Sequence, residues 1–248
     1  MTERQLPGYR RIANEVRAAI AAGEFAEGDR LPSVSALAER FAVTTGVVVR
    51  ALEVLKAEGL VIARHGSGVF VRRFAAIRRS SPARLSRARW GTGQMIQDAD
   101  TEVRPRVVDV VVAESPAPAW VAEPLGLTSG SDVLSRSRRF LVEDRPVQLA
   151  VSYYPADLVR GTRIALTDTG PGGAYARLAE QGHAPAHFTE YVRGRFPSPV
   201  EAGGLELQAG TFVLEITRHA FTAAGLCVEV NRMILDATAY ILDYTFDA

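Results

Sequence analysis

The chain has 248 residues, of which 47% are hydrophobic and 23% charged, an ordinary composition for a globular protein and enough length for two domains with their own cores. No apolar run approaches the roughly 20 residues that span a bilayer, and the N-terminus lacks a signal-peptide core, so a cytoplasmic protein is expected. The single Cys227 excludes an intramolecular disulfide and a metal site built from cysteines.

Charge is distributed unevenly along the chain. Residues 1–90 contain 16 Lys and Arg against 8 Asp and Glu, a net charge of +8, whereas residues 91–248 contain 13 against 20, a net charge of −7. A basic first third followed by an acidic remainder is typical of a nucleic-acid-binding head joined to a body that avoids phosphates. Uneven surface charge without a function is the alternative.

The first 71 residues predict three helices and a hairpin. Residues 9–22 carry apolar side chains at helical spacing, and a second helix follows Ser33, a candidate N-cap. An apolar stripe from Val48 to Leu55 predicts a third helix, which Gly59 ends. Strand, glycine turn and strand then follow. This order predicts a winged helix-turn-helix, a fold that places one helix in the DNA major groove.

Fixed segments of this region match one known family over residues 7–73. They are Ala22-Gly23-Glu24, Gly28-Asp29-Arg30-Leu31-Pro32-Ser33, Leu37-Ala38, Val43, Ala51-Leu52, Glu58-Gly59-Leu60 and Gly66-Ser67-Gly68-Val69-Phe70-Val71. The head resembles that of the GntR family of bacterial transcription regulators. The resemblance implies a homodimer on a palindromic double-stranded DNA operator, with the third helix in the major groove and the wing tip at the minor groove.

The resemblance also implies a DNA-binding surface. Three of its residues, Ser35, Thr45 and Val49, stand where the family usually has base-reading arginines, each worth roughly 1–3 kcal/mol of discrimination. The sequence therefore predicts either an operator of different sequence, leaning to A and T, or weak DNA binding. Gly46 before three valines is poor helix material, so full order of this helix is expected only on DNA. The predicted DNA-binding residues are Ser33, Ser35, Thr44, Thr45, Gly46, Val49, Arg50, Arg64, His65, Gly66 and Ser67.

Arginine is concentrated between the two expected domains. Seven of the nineteen residues 72–90 are Arg. We predict a winged helix-turn-helix domain over 1–73, a linker over 74–90 and a second domain over 91–248. The linker either lies near DNA and neutralises phosphates or is a solvated tether.

From residue 103 onwards the pattern is rich in strands. Two hairpins resemble each other, with Val133 to Arg138 matching Val213 to Arg218 at an offset of 80 residues. Two βαβ-like halves that pair into one antiparallel sheet would explain the match, so the fold class is α+β. The predicted strands are 107–112, 133–142, 146–154, 187–195, 211–222 and 226–235, with helices at 174–181 and 198–207.

The second domain also has a family likeness, over about residues 88–246. The matching residues are Val133-Leu134, Arg136, Arg138, Pro146, Ser152-Tyr153-Tyr154-Pro155, Asp168-Thr169-Gly170-Pro171-Gly172-Gly173, Tyr175, Leu178, Gly182-His183, Glu190, Arg193, Glu201, Val213 and Val228-Glu229. They resemble the UTRA effector domain of the HutC branch of GntR regulators, whose fold is similar to chorismate lyase.

This likeness implies a small polar effector in a cleft between the sheet and its covering loops. Arg138 matches the first of two family arginines, and Phe140 stands where the second often lies, which argues against a doubly charged phosphosugar and leaves room for a more apolar or aromatic ligand. A surface salt bridge or mutual hydrogen bonding is the alternative role for these polar residues. The predicted effector-binding residues are Arg136, Arg138, Ser152, Tyr153, Gly172, Gly173, Glu190, Arg193, Glu229 and Asn231.

Together these patterns predict a ligand-responsive transcription regulator, in the usual sense a repressor that the effector releases from DNA. No catalytic residue, cofactor or metal site is predicted, because His183, His187 and His219 lack ligand spacing and no catalytic triad is visible. One alternative is a regulator-like protein with weakened DNA binding that acts as a small-molecule or protein interaction module. The other is an enzyme similar to chorismate lyase.

Overall fold

The computed structural model describes residues 8–64, 66–72, 77–80, 84–93, 105–128, 130–142 and 144–245. They form two compact units, and the main boundary lies between residues 75 and 76. None of the described helices is long and apolar enough to cross a membrane.

The first unit contains three helices followed by a two-stranded wing. Its elements are α1 (Gly8–Ala21), α2 (Val34–Phe41), α3 (Thr45–Ala57), β1 (Val61–Arg64) and β2 (Gly68–Val71). Its core unites one apolar face of each helix with the wing, through residues such as Ile12, Val16, Leu37, Val48, Leu52, Leu55, Val61 and Val71. The predicted winged helix-turn-helix is therefore confirmed.

Local chemistry fixes the ends of the helices in this unit. The Ser33 hydroxyl accepts a hydrogen bond from the Ala36 amide at 3.1 Å and caps α2, as predicted. Gly59 has φ 73° and follows α3, in the left-handed conformation that glycine adopts freely. The sequence did not reveal that Ala42, with φ 52°, ends α2 in the same conformation. Helix α3 runs without a break from Thr45 to Ala57, through Gly46 and the three valines that follow it.

We expect Gly46→Ala to raise the free energy of unfolding of the first unit by about 0.5–1 kcal/mol, because alanine loses less backbone entropy in a helix. Nothing lies within 4 Å of the Cβ position at Gly46. Chemical denaturation followed by circular dichroism measures the change. The control is Gly66→Ala, where φ is +70° and the substitution should destabilise. Stabilisation by both variants would contradict the explanation.

The second unit contains the remaining strands and helices. Its strands are β3 (Ile77–Ser80), β4 (Arg106–Pro116), β5 (Asp132–Val142), β6 (Arg145–Pro155), β7 (Pro185–Arg195), β8 (Val213–Thr222), β9 (Cys227–Asp236) and β10 (Tyr240–Asp243). Its helices are α4 (Arg87–Trp90), α5 (Ala119–Leu125), α6 (Ala156–Val159), α7 (Gly173–Glu180) and α8 (Pro199–Gly204), and a 3-10 turn covers Arg163–Ala165.

Six strands form one antiparallel sheet in the order β4-β5-β6-β9-β8-β7. The predicted repeat is visible in the order of elements, since β4, α5, β5 and β6 are followed by β7, α8, β8 and β9. The halves meet where β6 pairs with β9. The expected α+β class with a single antiparallel sheet is thereby confirmed, and every neighbouring pair of strands within this sheet is antiparallel.

The described part of the predicted linker belongs to the second unit. β3 pairs in parallel with β10, next to the C-terminus of the chain. The side chains of Arg79 and Arg84 are buried, with exposures of 0% and 1%, and Trp90 lies in a core cluster. Neither a phosphate-neutralising linker nor a solvated tether accounts for these residues, because buried guanidinium groups serve partners inside the fold.

Candidate functional site

The surface of the first unit carries the predicted DNA-binding residues. Helix α3 turns Val48, Ala51, Leu52 and Leu55 into the core. The exposed residues of α3 include Thr45, Gly46, Val49 and Arg50. The described members of the predicted set are all exposed, namely Ser33, Ser35, Thr44, Thr45, Gly46, Val49, Arg50, Arg64, Gly66 and Ser67. His65 lies outside the described residues.

Aromatic rings hold the two arginines of this surface. The Arg50 guanidinium lies 4.4 Å from the centroid of the Tyr9 ring, and that of Arg64 lies 4.8 Å from the Phe70 ring. Such contacts fix a long side chain while its charge stays at the surface. The Ser35 hydroxyl is only 2.9 Å from that of Ser33, so these two hydroxyls bond each other within the cap of α2.

In the second unit, the strand register gathers polar residues into one row across the sheet. Arg136 is opposite Ser152, Ser152 is opposite Asn231, Asn231 is opposite Arg218, and Arg218 is opposite Glu190. Directly opposed residues of an antiparallel pair lie on the same face. Four of these five residues belong to the predicted effector set, so the register brings residues far apart in sequence onto one surface.

A small polar cavity of about 50 Å³ lies on this face. Five residues of the predicted effector-binding set line it, and so do five that the set did not include. The predicted ones are Arg138, Gly172, Gly173, Glu229 and Asn231, and the others are Tyr154, Thr169, Ala174, Tyr175 and Arg218.

Several buried polar atoms around the cavity have no hydrogen-bond partner in the described structure. They are Nε of Arg138, Nε and Nη1 of Arg218, and Oδ1 of Asn231. Buried polar groups are nearly always hydrogen-bonded, and leaving one unpaired costs about 1–3 kcal/mol. Three donors and one acceptor around one cavity therefore indicate a site for a polar ligand.

Glu229 is the buried carboxylate of this cavity. Its two oxygens accept hydrogen bonds from the hydroxyls of Tyr154 at 2.7 Å and Tyr175 at 2.6 Å. Burial and the Glu229 charge raise the pKa of Tyr154 well above its usual value. The pKa of Tyr175 is also raised, mainly by burial. Both phenols are thus neutral hydrogen-bond donors at physiological pH.

Arg218 lies between two carboxylates. Its Nη2 is 3.6 Å from Glu229 and its Nη1 is 3.8 Å from Glu190. Burial by itself lowers the pKa of Arg218, but the neighbouring Tyr175, Glu229 and Glu190 raise it overall, so the guanidinium stays charged. Both distances exceed normal hydrogen-bond lengths, which leaves donors available to a ligand.

Some predicted residues have structural partners rather than a place in the cavity. Arg136 donates to the carbonyl oxygens of Ile164 at 2.6 Å, Thr167 at 3.0 Å and Leu166, so it anchors the loop before α7. Ser152 accepts a hydrogen bond from Arg138 and is not among the residues that line the cavity. Arg136 and Ser152 therefore shape the site without lining it.

Two predicted residues lie on the opposite face of the sheet. Tyr153 packs against Trp120, with ring centroids 5.4 Å apart, and Arg193 is exposed opposite Glu215. Because side chains alternate along a strand, Ser152 and Tyr153 cannot both face one cleft. The hydroxyl near the cavity belongs to Tyr154. The side chains of Glu190 and Arg193 point to opposite faces of the sheet, and Glu190 forms ion pairs with Arg79 and Arg218.

The second guanidinium group of the site belongs to Arg218, which the sequence-based prediction did not include, although the internal repeat indicated it. Phe140 is buried at the position expected for a second arginine, and Arg218 supplies the charge instead. Arg138 and Arg218 are equivalent members of the 80-residue repeat, on β5 and β8. Phe140 therefore does not exclude a doubly charged ligand, because the cavity has two arginines, Arg138 and Arg218.

The glycine turn before α7 forms the rim of the cavity. Gly172 has φ 76°, and a Cβ there would lie 2.6 Å from that of Ala176 and 2.8 Å from the Trp90 carbonyl oxygen. Its amide already donates to the Gly93 carbonyl at 2.9 Å. Gly172 is thus required for close packing, and the turn brings the start of α7 to the cavity.

A larger open recess of about 1100 Å³ lies at one end of β7. Its described lining includes Leu85, His187, Phe188 and Leu226. Glu190 also lines this recess and is already paired with Arg79. We therefore regard the small cavity as the better candidate for specific recognition, because its unpaired polar atoms need a ligand.

Comparison with known families gives two matches along the chain. Residues 8–71 match the bacterial regulatory proteins of the gntR family, and residues 93–241 match the UTRA domain. An HTH-type transcriptional regulator of Streptomyces coelicolor is 32% identical over 97% of this chain and 93% of its own length. Another from Rhizobium meliloti is 31% identical over 90% and 88%. The crystal structure of a GntR-family transcriptional regulator is similar with a TM-score of 0.63 and 26% identity, covering 98% of this chain and 99% of that one.

Proposed function

The chain belongs to the GntR family of bacterial transcription regulators and carries a UTRA domain, and from this premise we propose that it is a repressor whose DNA affinity is controlled by a small anion bound between Arg138 and Arg218. The proposal of a bound anion rests on one observation: Arg138, Arg218 and Asn231, which line the same cavity, have buried polar atoms without hydrogen-bond partners in the described structure. We also propose a homodimer on a palindromic operator in the cytoplasm, the arrangement that a single helix-turn-helix per chain favours.

The chemistry of the cavity restricts the class of ligand. Two guanidinium groups against the single Glu229 carboxylate leave an excess of one positive charge among the lining residues. Guanidinium groups bind carboxylates and phosphates with two parallel hydrogen bonds. The unpaired Oδ1 of Asn231 requires a donor. The expected effector therefore carries a carboxylate or phosphate group next to a hydroxyl or amine.

We propose binding rather than catalysis at this site. Both oxygens of Glu229 are occupied by tyrosine hydroxyls, and both phenols are held neutral, so neither group is poised to take a proton from a substrate. Incubation with chorismate-like substrates tests this conclusion, because turnover would support the chorismate-lyase-like alternative. Native mass spectrometry of the purified protein would identify any retained effector.

Thr45→Glu should lower the affinity for the operator by at least about tenfold, because a carboxylate at the exposed start of α3 would face the phosphate backbone. The change should not unfold the helix, since acidic residues stabilise helix N-termini. Fluorescence anisotropy with DNA from upstream of the gene, across salt concentrations, measures the affinity.

Thr45→Gln is the matched control for that experiment, since it has the same shape as Glu without the charge. Equal affinities of the two variants would remove Thr45 from the DNA interface. A wild-type protein without sequence-dependent binding at low salt would overturn the repressor proposal. That result would favour a small-molecule module, consistent with Ser35, Thr45 and Val49 in place of arginines.

A further inference from the structure

A buried arginine occupies the first strand of the second unit. Arg79 lies in β3, which begins after only five residues, 72–76, that follow β2. Its side chain is fully buried, its Nη2 donates to Glu190 Oε1, and its Nη1 lies 3.4 Å from the sulfur of Met233. A buried ion pair of this kind is costly to break, so Glu190 fixes the position of β3.

A second arginine, Arg218, connects the Glu190 carboxylate to the cavity. Arg218 Nη1 is 3.8 Å from the oxygen of Glu190 that accepts from Arg79. Arg218 also lines the cavity, and its Nε and Nη1 have no hydrogen-bond partner in the described structure. The charges therefore alternate in a continuous series from the cavity to β3: Arg218, Glu190 and Arg79.

Resting on the proposed function, we infer that Arg79 is a positioning residue that transmits occupancy of the cavity to β3, the strand next to the DNA-binding unit in the chain. An anion in the cavity attracts the donors of Arg218 and weakens its hold on Glu190. Glu190 then depends more strongly on Arg79, because charges inside a protein interact at low dielectric. The bound anion thereby holds β3 more firmly.

The neighbouring Arg78 provides a matched control. Its side chain is 72% exposed, and its partner Asp243 lies 3.8 Å away at the surface. Exposed ion pairs contribute little. Arg78 shares the strand and the charge of Arg79, but its side chain points to the exposed face of β3 and that of Arg79 to the buried face, so its removal should not change the response.

Hydrogen exchange of the full-length protein, with and without inorganic phosphate, tests the inference. Phosphate should slow exchange of the amides of residues 77–80 by about fivefold, a usual size for coupling between sites. Arg79→Gln should lose this response while its phosphate affinity stays within about threefold of wild type. Arg79→Lys should restore the response, and Arg78→Gln should respond like wild type. A charge-free double variant, Arg79→Met with Glu190→Gln, replaces Arg79→Gln if that protein does not fold.

A second arm needs no added ligand. Asn231→Asp places a carboxylate in the cavity with little change of shape, and it should slow exchange in β3 unless Arg79 is also replaced. Unchanged or faster exchange in wild type with phosphate bound, or an undiminished response in Arg79→Gln, would overturn the inference and leave the binding site intact. Phosphate binding that does not depend on Arg138 would instead count against the proposed site, and the Asn231→Asp arm would still decide the role of Arg79.

Discussion

Replacing Arg138 by Ala is expected to weaken binding of inorganic phosphate by at least about 30-fold, the equivalent of about 2 kcal/mol. Arg138 lines the cavity, and its Nε is buried without a partner, while its Nη2 is held by Ser152. The alanine variant loses one of the two guanidinium groups that are proposed to bind the anion with charge-assisted hydrogen bonds. Isothermal titration calorimetry of wild type and variant measures the loss.

Arg139→Ala is the control for that measurement. Arg139 is the next residue of β5, so its side chain lies on the opposite face of the sheet, where it pairs with Asp109 at 2.9 Å. Its replacement removes the same charge from the same strand without touching the cavity. Equal losses in both variants would indicate a general effect of charge and would exclude Arg138 from the site. Arg138→Ala should also retain operator affinity without ligand and lose the release that the effector causes.

Replacing Glu229 by Ala is expected to lower the free energy of unfolding of the second unit by about 3–5 kcal/mol, the usual cost of removing one partner from a buried charged pair. The variant leaves two tyrosine hydroxyls and the Arg218 guanidinium buried without their shared acceptor. Urea denaturation followed by tryptophan fluorescence measures the change. The two tryptophans, Trp90 and Trp120, both lie in the second unit, so the signal reports on that unit.

Two further variants show whether the loss comes from the buried network. Glu229→Gln keeps one carbonyl acceptor and should destabilise less than alanine. Glu180→Ala removes a carboxylate that is 57% exposed and pairs with Arg177, and it should change the stability by less than about 0.5 kcal/mol. A small effect of Glu229→Ala, similar to that of Glu180→Ala, would contradict the described network.

The helices of the first unit could be predicted because their signals are local. The apolar spacing from Val48 to Leu55, the Ser33 cap and the glycine after α3 each act within a few residues. The end of α2 at Ala42 carried no such signal, since alanine rarely adopts a left-handed conformation.

The candidate site was only partly predictable, because its chemistry depends on contacts between distant residues. The sequence made Arg136 a candidate for effector binding. In the structure its guanidinium donates to backbone carbonyl oxygens about 30 positions further along the chain. The choice between Tyr153 and Tyr154 depended on which face of β6 is covered. Such a one-residue shift exchanges the faces of a strand.

The linker illustrates the same limit. An arginine-rich segment indicates solvent or phosphate when only its composition is known. The carboxylate that Arg79 meets is 111 residues away, on β7. Only the assembled sheet makes that arginine a buried residue.

The repeated halves of the sheet have a consequence for the orientation of a bound molecule. The strand order β4-β5-β6-β9-β8-β7 reads the same from either edge when each strand is exchanged for its repeat equivalent. The cavity thus receives one arginine from each half, near an approximate rotation axis between β6 and β9. Charge breaks this symmetry, because the Glu229 carboxylate lies 3.6 Å from Arg218, whereas Arg138 donates a hydrogen bond to the neutral Ser152 hydroxyl. If the proposed site is correct, we expect an asymmetric ligand to bind with its more negative end toward Arg138 and its less negative end toward Glu229.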